Sequence, residues 1–131
     1  MDIKSKSSNN MGDFRRNLLE MASWTFINAP VLVNQTGSLA PYRSVEAHLD
    51  SFEITLESGS EAKKDILRAK DDIFKDKTEA LQKYEVDKKR LGYFERQDME
   101  QTVERDIEIL SVKRRLENCW DVATKRGLFN E

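Results

Sequence analysis

SEAKKDILRAKDDIFKDKTEALQKYEVDKKRLGYFERQDMEQTVERDIEILSVKRRLENCWDVATKR, residues 60–126, decides the fold. These sixty-seven residues contain no proline and a single glycine, Gly92, and apolar side chains recur in them every three or four positions. That spacing marks long amphipathic helix, each turn presenting one apolar stripe to a partner and the rest of its surface to water. The fold class is therefore mainly α, with a long, antiparallel, coiled-coil-like helical hairpin as its largest part. A surface of this kind suits scaffolding or assembly better than the enclosure of a substrate.

Ser60 supplies an N-cap with Glu61 in the first turn, and Ile66, Leu67, Ile73, Phe74, Ala80, Leu81, Tyr84 and Leu91 gather within about 120° of arc. Acid-before-base pairs four residues apart, Asp71 with Lys75, Glu79 with Lys83 and Glu85 with Lys89, support the solvated side. Asp98 with Gln101 resembles a capping box, so residues 92–97 read as a turn and a second helix follows. Lys125 and Arg126 before Gly127 make a good stop, with Leu128 placed to touch back. The rival is one unbroken helix of about 100 Å at 1.5 Å per residue. Complementarity favours the hairpin: folding about Phe94 and Glu95 brings Leu91 near Met99, Leu81 near Ile109 and Leu110, Phe74 near Leu116 and Leu67 near Ala123. The same fold sets Lys88, Lys89 and Arg90 beside Glu100 and Glu104, and Lys113, Arg114 and Arg115 beside Asp76 and Glu79.

The last helix carries two apolar stripes. Met99, Val103, Ile107 and Leu110 form one, while Ile109, Val112, Leu116, Cys119, Trp120 and Ala123 lie about 150° to 220° further round. One partner helix cannot cover both. Either the amino-terminal segment, with Phe26, Val31 and Leu32 against Trp120, or a neighbouring chain covers the second, so Ile109, Val112, Leu116 and Trp120 are the candidate protein interface.

Three segments follow: a disordered polar tail over 1–11, a small helical and extended module over 12–59, and the hairpin over 60–131. In the module, Asp13 caps a short helix carrying Phe14, Leu18, Met21 and Ala22, which ends before Pro30 because the residue ahead of a proline is pushed out of helical geometry. Thr25 to Ile27, Val31 and Val33 are β-branched or aromatic, with Leu32 between the two valines, and residues 34–38 carry turn chemistry, so a short β-ribbon or extended segment is expected there. Ser44 then caps a second helix through Val45, Leu49, Phe52 and Leu56, preferred over a strand at 52–56.

Composition narrows the function. At 38% hydrophobic and 35% charged residues, the chain fits helices with wide solvated sides. A formal charge of −2 argues against a wholly basic binding surface, while the local groups Lys88, Lys89, Arg90, then Lys113, Arg114, Arg115, then Lys125 and Arg126, with Arg15 and Arg16, keep nucleic acid as an alternative partner, Tyr93 and Phe94 offering a stacking surface. His48 is the only histidine and Cys119 the only cysteine, so neither a metal cluster, a catalytic triad nor a disulfide framework is expected, and no phosphate loop occurs. No cofactor is expected. No segment has the length and apolarity of a membrane span and no secretion signal opens the sequence, so a cytoplasmic location is expected. The expectation is a non-enzymatic scaffold or adaptor that self-assembles or binds a helical partner, with an oligomeric nucleic-acid accessory protein as the alternative.

Overall fold

A computed structural model describes residues 10–131, and at 98–101 the backbone alone. The described residues are mainly helical, in the order α1 (Asn10–Thr36), α2 (Ala40–Ile54), α3 (Glu61–Lys88), α4 (Tyr93–Lys125) and a 3-10 turn (Leu128–Asn130). Among them there is no strand. The tail expected over residues 1–9 lies outside the described residues; Asn10 and Met11, placed in that tail by composition, belong instead to the first turn of α1.

Helix α1 corrects the largest expectation. It neither stops before Pro30 nor gives way to a ribbon, but continues as helix to Thr36. An interior proline removes one hydrogen bond and costs about 3 kcal/mol. The burial of Ala29 and Val33 on either side of it is the compensating gain. The helix stops at Gly37, which takes the left-handed conformation (φ 68°) and donates its N–H to the Val33 carbonyl at 2.6 Å. Ser38 Oγ then accepts from Ala40 N–H, and Pro41 occupies the first turn of α2, where a missing donor costs nothing. Helix α2 thus begins four residues before the Ser44 cap that the sequence suggested, and Phe52 to Ile54 are helical.

Ser60 caps α3 as expected, its Oγ accepting from Lys63 N–H at 3.2 Å. The turn between α3 and α4 is shorter and earlier than residues 92–97, spanning 89–92. Gly92 is the N-cap of α4, and its N–H donates to the Glu95 carboxylate. The helix therefore runs straight through residues 98–101, and no cap forms there; the side chains of Asp98, Met99, Glu100 and Gln101 lie outside the described residues. Ion pairs join Asp65 to Arg126, Asp76 to Arg114 and Lys77 to Glu108, so numbers fall along α3 as they rise along α4. Gly127 (φ 66°) ends α4, and Leu128 turns back into the core.

One hydrophobic core takes Leu18, Leu19, Ala22, Ala29 and Val33 from α1, Tyr42, Val45, Leu49 and Phe52 from α2, only Ala62 and Ile66 from the start of α3, and Val112 to Ala123 from the end of α4. Beyond Lys70 the cross-helix ion pairs of α3 go to α4. In that two-helix region the covered positions of α3 centre on Ile73, Lys77, Ala80, Leu81, Tyr84 and Lys88. Phe74 lies outside that set and is 70% exposed, and Leu67 is exposed as well, so neither is buried between the helices as the expected pairing with Leu116 and Ala123 required. A single partner helix covers a stripe narrower than the 120° face read from the sequence.

Candidate interaction surface

The second stripe of α4 is covered from within the chain. Val112 and Leu116 are buried in the core, and Ile109 and Trp120 pack against it. Trp120 Nε1 donates to Ser23 Oγ of α1 at 2.7 Å, and its ring meets Phe129 edge-on at 5.6 Å rather than Phe26, which pairs with Tyr42. The four residues expected to form an interface therefore belong to the chain's own core or pack on it, and Trp120 joins α4 to α1 and to the 3-10 turn.

Apolar surface is left open elsewhere, on α1. Its core side carries Leu18, Ala22, Ala29 and Val33; about 140° round the helix, at 100° per residue, Phe14, Met21, Trp24, Ile27 and Val31 face solvent. Trp24 is 67% and Ile27 73% exposed. A shallow depression beside Trp24 is lined by Asn17, Glu20, Met21 and Thr25. No helix among the described residues is long and apolar enough to cross a membrane. Exposed apolar surface of this length, bounded by polar residues such as Asp13 and Glu20, is of the kind on which association sites are built. The sequence held the signal, since Phe14, Met21 and Trp24 recur at sevenfold and threefold spacing, but the assumption that Pro30 ended the helix cut the stripe in half.

The basic candidates do not form one patch. Arg114 pairs with Asp76 at 2.8 Å, Arg126 with Asp65, and Lys113 lies 4.0 Å from Glu117. Arg115 turns to α2, 2.5 Å from Asp50 and 3.2 Å from Glu53. Burial opposes its charge, but the bond to Asp50, with Glu53 alongside, more than offsets that and raises its pKa. Glu53 is a buried hub that also accepts from Lys70 Nζ at 2.9 Å, with Lys63 Nζ 3.9 Å away. Lys88 Nζ lies 5.6 Å from the Tyr84 ring, while Lys89 and Arg90 are exposed at the α3–α4 turn beside the exposed pair Tyr93 and Phe94, whose rings meet at 5.4 Å. Lys125 and Arg126 sit at the other end of α4, about 50 Å away at 1.5 Å per residue.

Arg15, one basic group among several in the sequence, is buried. Its guanidinium donates to Thr55 Oγ1 at 3.1 Å, to the Thr55 carbonyl at 3.0 Å and to the Leu128 carbonyl at 3.2 Å, and pairs with the Glu131 carboxylate. One turn earlier, Gly12 N–H donates to the Glu131 carbonyl at 2.6 Å, and Arg16 lies over the Phe129 ring. These bonds fix the last residues beneath the start of α1. The cleft next to them, between Thr55, Glu57, Ser60 and Arg126, is already crossed by this network.

Cys119 is buried beside the cluster of Arg115, Glu53, Lys70 and Asp50. Burial pushes its thiol up to about 12, against the pull of Arg115, so it remains a neutral apolar group at ordinary pH. His48 is half-buried on α2. Among the described residues no group of three or more histidine, cysteine or acidic side chains is arranged to hold a metal. Comparison with family models, curated proteins and solved structures found no match.

Proposed function

We propose that this chain is a non-enzymatic scaffold or adaptor that acts by helix association, with α3 and α4 packed as a coiled-coil-like hairpin and α1 supplying the surface that meets a partner. The observation that carries this reading is the open apolar side of α1, on which Phe14, Met21, Trp24, Ile27 and Val31 remain exposed although the opposite side of the same helix is fully used by the core. Leaving that surface in water forfeits about 25 cal/mol for each Å² that a partner would cover. Light scattering at micromolar concentration tests it. The expected result is a mass above 15.3 kDa that falls to that of one chain in a variant combining Met21→Glu with Trp24→Glu, with helicity unchanged. A strictly monomeric natural protein that captures no helical partner would overturn it.

A second reading, an oligomeric nucleic-acid accessory protein, is favoured by one observation: Tyr93 and Phe94 are exposed side by side next to Lys89 and Arg90. Aromatic rings beside cations provide stacking and phosphate contacts for a single strand. Lys89→Glu with Arg90→Glu is the appropriate test, because Lys113, Arg114 and Arg115 have acidic neighbours and reversing them would disturb the fold. Affinity for a single strand should fall steeply with salt and drop in that variant. Absence of binding at low salt would remove this reading.

A further inference from the structure

The exposed side of α1 follows a strict alternation of four and three: Asn10, Phe14, Asn17, Met21, Trp24, Asn28, Val31 and Gln35. This is the seam of a two-helix coiled coil, and it reads the same from either end. Each member has a counterpart whose number completes 45: Asn10 with Gln35, Phe14 with Val31, Asn17 with Asn28, and Met21 with Trp24. Polar faces polar and apolar faces apolar in every layer. We propose that two copies of this chain associate through α1 in antiparallel orientation about a twofold axis between Ala22 and Ser23, with Asn17 of each copy opposite Asn28 of the other. The proposal rests on the reading of this side of α1 as an association surface.

A twofold interface must be self-complementary, residue i meeting j while j meets i, and a seam that is palindromic in polarity meets that condition without any adjustment of register. Size agrees with polarity. The antiparallel register pairs the large Trp24 with the unbranched Met21 and the large Phe14 with the small Val31, so each apolar layer holds a similar volume. A parallel register would put Trp24 on Trp24 and Val31 on Val31, alternating the widest and narrowest layers across helices that must keep a nearly constant separation of about 8 to 10 Å. The flanking positions bring no like charges together, since Asp13 falls opposite Asn34 and Glu20 opposite Ile27, while Met11 meets Leu32.

The asparagines fix the register. Asn28 Nδ2 donates to the Trp24 carbonyl at 2.8 Å, which leaves its Oδ1 to accept from Asn17 Nδ2 of the other copy. A slip by one heptad would set Asn17 against Met21 in one direction or Asn28 against Trp24 in the other, and leave an amide without a partner, the device by which buried asparagine selects one alignment among several. The area is sufficient as well. The exposed parts of Phe14, Met21, Trp24, Ile27 and Val31 amount to about 600 Å² per copy, so covering them fully would bury about 1,200 Å² in all, the lower edge of the range for a specific, stable interface before any polar rim is added.

The test is oxidative cross-linking of full-length single-cysteine additions, read on a non-reducing gel alongside light scattering of the unmodified protein. Asn17→Cys mixed with Asn28→Cys should give a covalent dimer, and each variant alone should give almost none, because the two copies of residue 17 would lie about 16 Å apart along the axis, beyond the reach of a disulfide. Asn10→Cys mixed with Gln35→Cys, which leaves the central layers untouched, should behave the same way. The unmodified protein, whose Cys119 is buried, should give no cross-link. Efficient self-cross-linking of either Asn17→Cys or Asn28→Cys alone would overturn the antiparallel register. A dimeric mass with no cross-link in either mixture would overturn the register but leave association intact. A monomeric mass would overturn both the register and any role of the seam in self-association.

Discussion

Gly12→Ala separates two effects of opposite sign. In a helix, alanine is preferred over glycine by about 1 kcal/mol, so propensity alone would stabilise the variant. At position 12, however, an added Cβ would lie 2.1 Å from the Phe129 carbonyl oxygen, 2.6 Å from its carbon and 2.8 Å from the Glu131 carbonyl oxygen, all backbone atoms with no flexible end to swing aside. The segment would have to retreat by more than an ångström to restore ordinary contact at 3.4 Å. Retreat breaks the 2.6 Å bond from Gly12 to Glu131 and stretches the bond from Arg15 to Leu128. Those losses come to about 2 to 4 kcal/mol, since a neutral bond contributes about 1 and one from a buried cation about 1.5 to 3. Subtracting the propensity gain leaves a net destabilisation of about 1 to 3 kcal/mol. Urea unfolding monitored by circular dichroism measures it, with an unchanged m-value showing that the unfolding reaction is the same. A variant stabilised by about 1 kcal/mol would refute the close approach of residues 129–131 to α1.

Phe52→Ala should cost about 3 to 5 kcal/mol, because that ring is fully buried, whereas Phe74→Ala should stay within about 0.5 kcal/mol, and equal losses would contradict the placement of α3. Glu53→Gln strands Arg115, Lys63 and Lys70 around a neutral amide; as the lysines keep some water, about 2 to 3 kcal/mol should be lost in urea titrations, and a loss below 0.5 would show that the hub is not closed. Stability should also fall above pH 9: the Cys119 thiol holds its proton in the folded state up to about 12 while the unfolded thiol releases it, so the contribution is complete below about pH 8.5 and declines by up to about 1.4 kcal/mol per pH unit until the folded thiol ionises. Tyr42, its pKa raised by burial against the pull of Arg105, adds a slope of the same sign at higher pH. Cys119→Ala should remove the part that begins near pH 9, and identical slopes for the two proteins would exclude the thiol as its source.

What the sequence made legible were caps, stops and the matching of two regular helical rows. Ser60 announced its own helix through a single hydroxyl, Gly127 through its position after Lys125 and Arg126, and the pairing of Arg114 with Asp76 followed from matching two charged rows. What it concealed were places where two faces overlap. Between Trp24 and Val33, Phe26, Ala29 and Val33 turn inward while Trp24, Ile27 and Val31 turn outward, and together they fill the sequence with apolar residues so that the helical period vanishes. The β-branched side chains then suggested extended chain, although their preference against helix is only tenths of a kcal/mol each and burial exceeds it easily. The exposed seam was hidden for the same reason. Arg15 could not have been placed by any local rule, because its partners at Thr55, Leu128 and Glu131 are 40 to 116 residues away.

That distance sets an order of events during synthesis. At the ordinary elongation rate of about 5 to 20 residues per second, the interval between the appearance of Arg15 and that of Glu131 is roughly 6 to 23 seconds. Until its end the guanidinium of Arg15 has no carboxylate to meet, and until α4 is made the core side of α1 is covered by α2 alone while its outer side stays open. Two neighbouring nascent chains could engage through the outer side of α1 well before either has closed its own interior. Assembly in that sequence would take place between half-made molecules on one message, and the closing of residues 128–131 onto Gly12 and Arg15 would be the step that commits each to its final form.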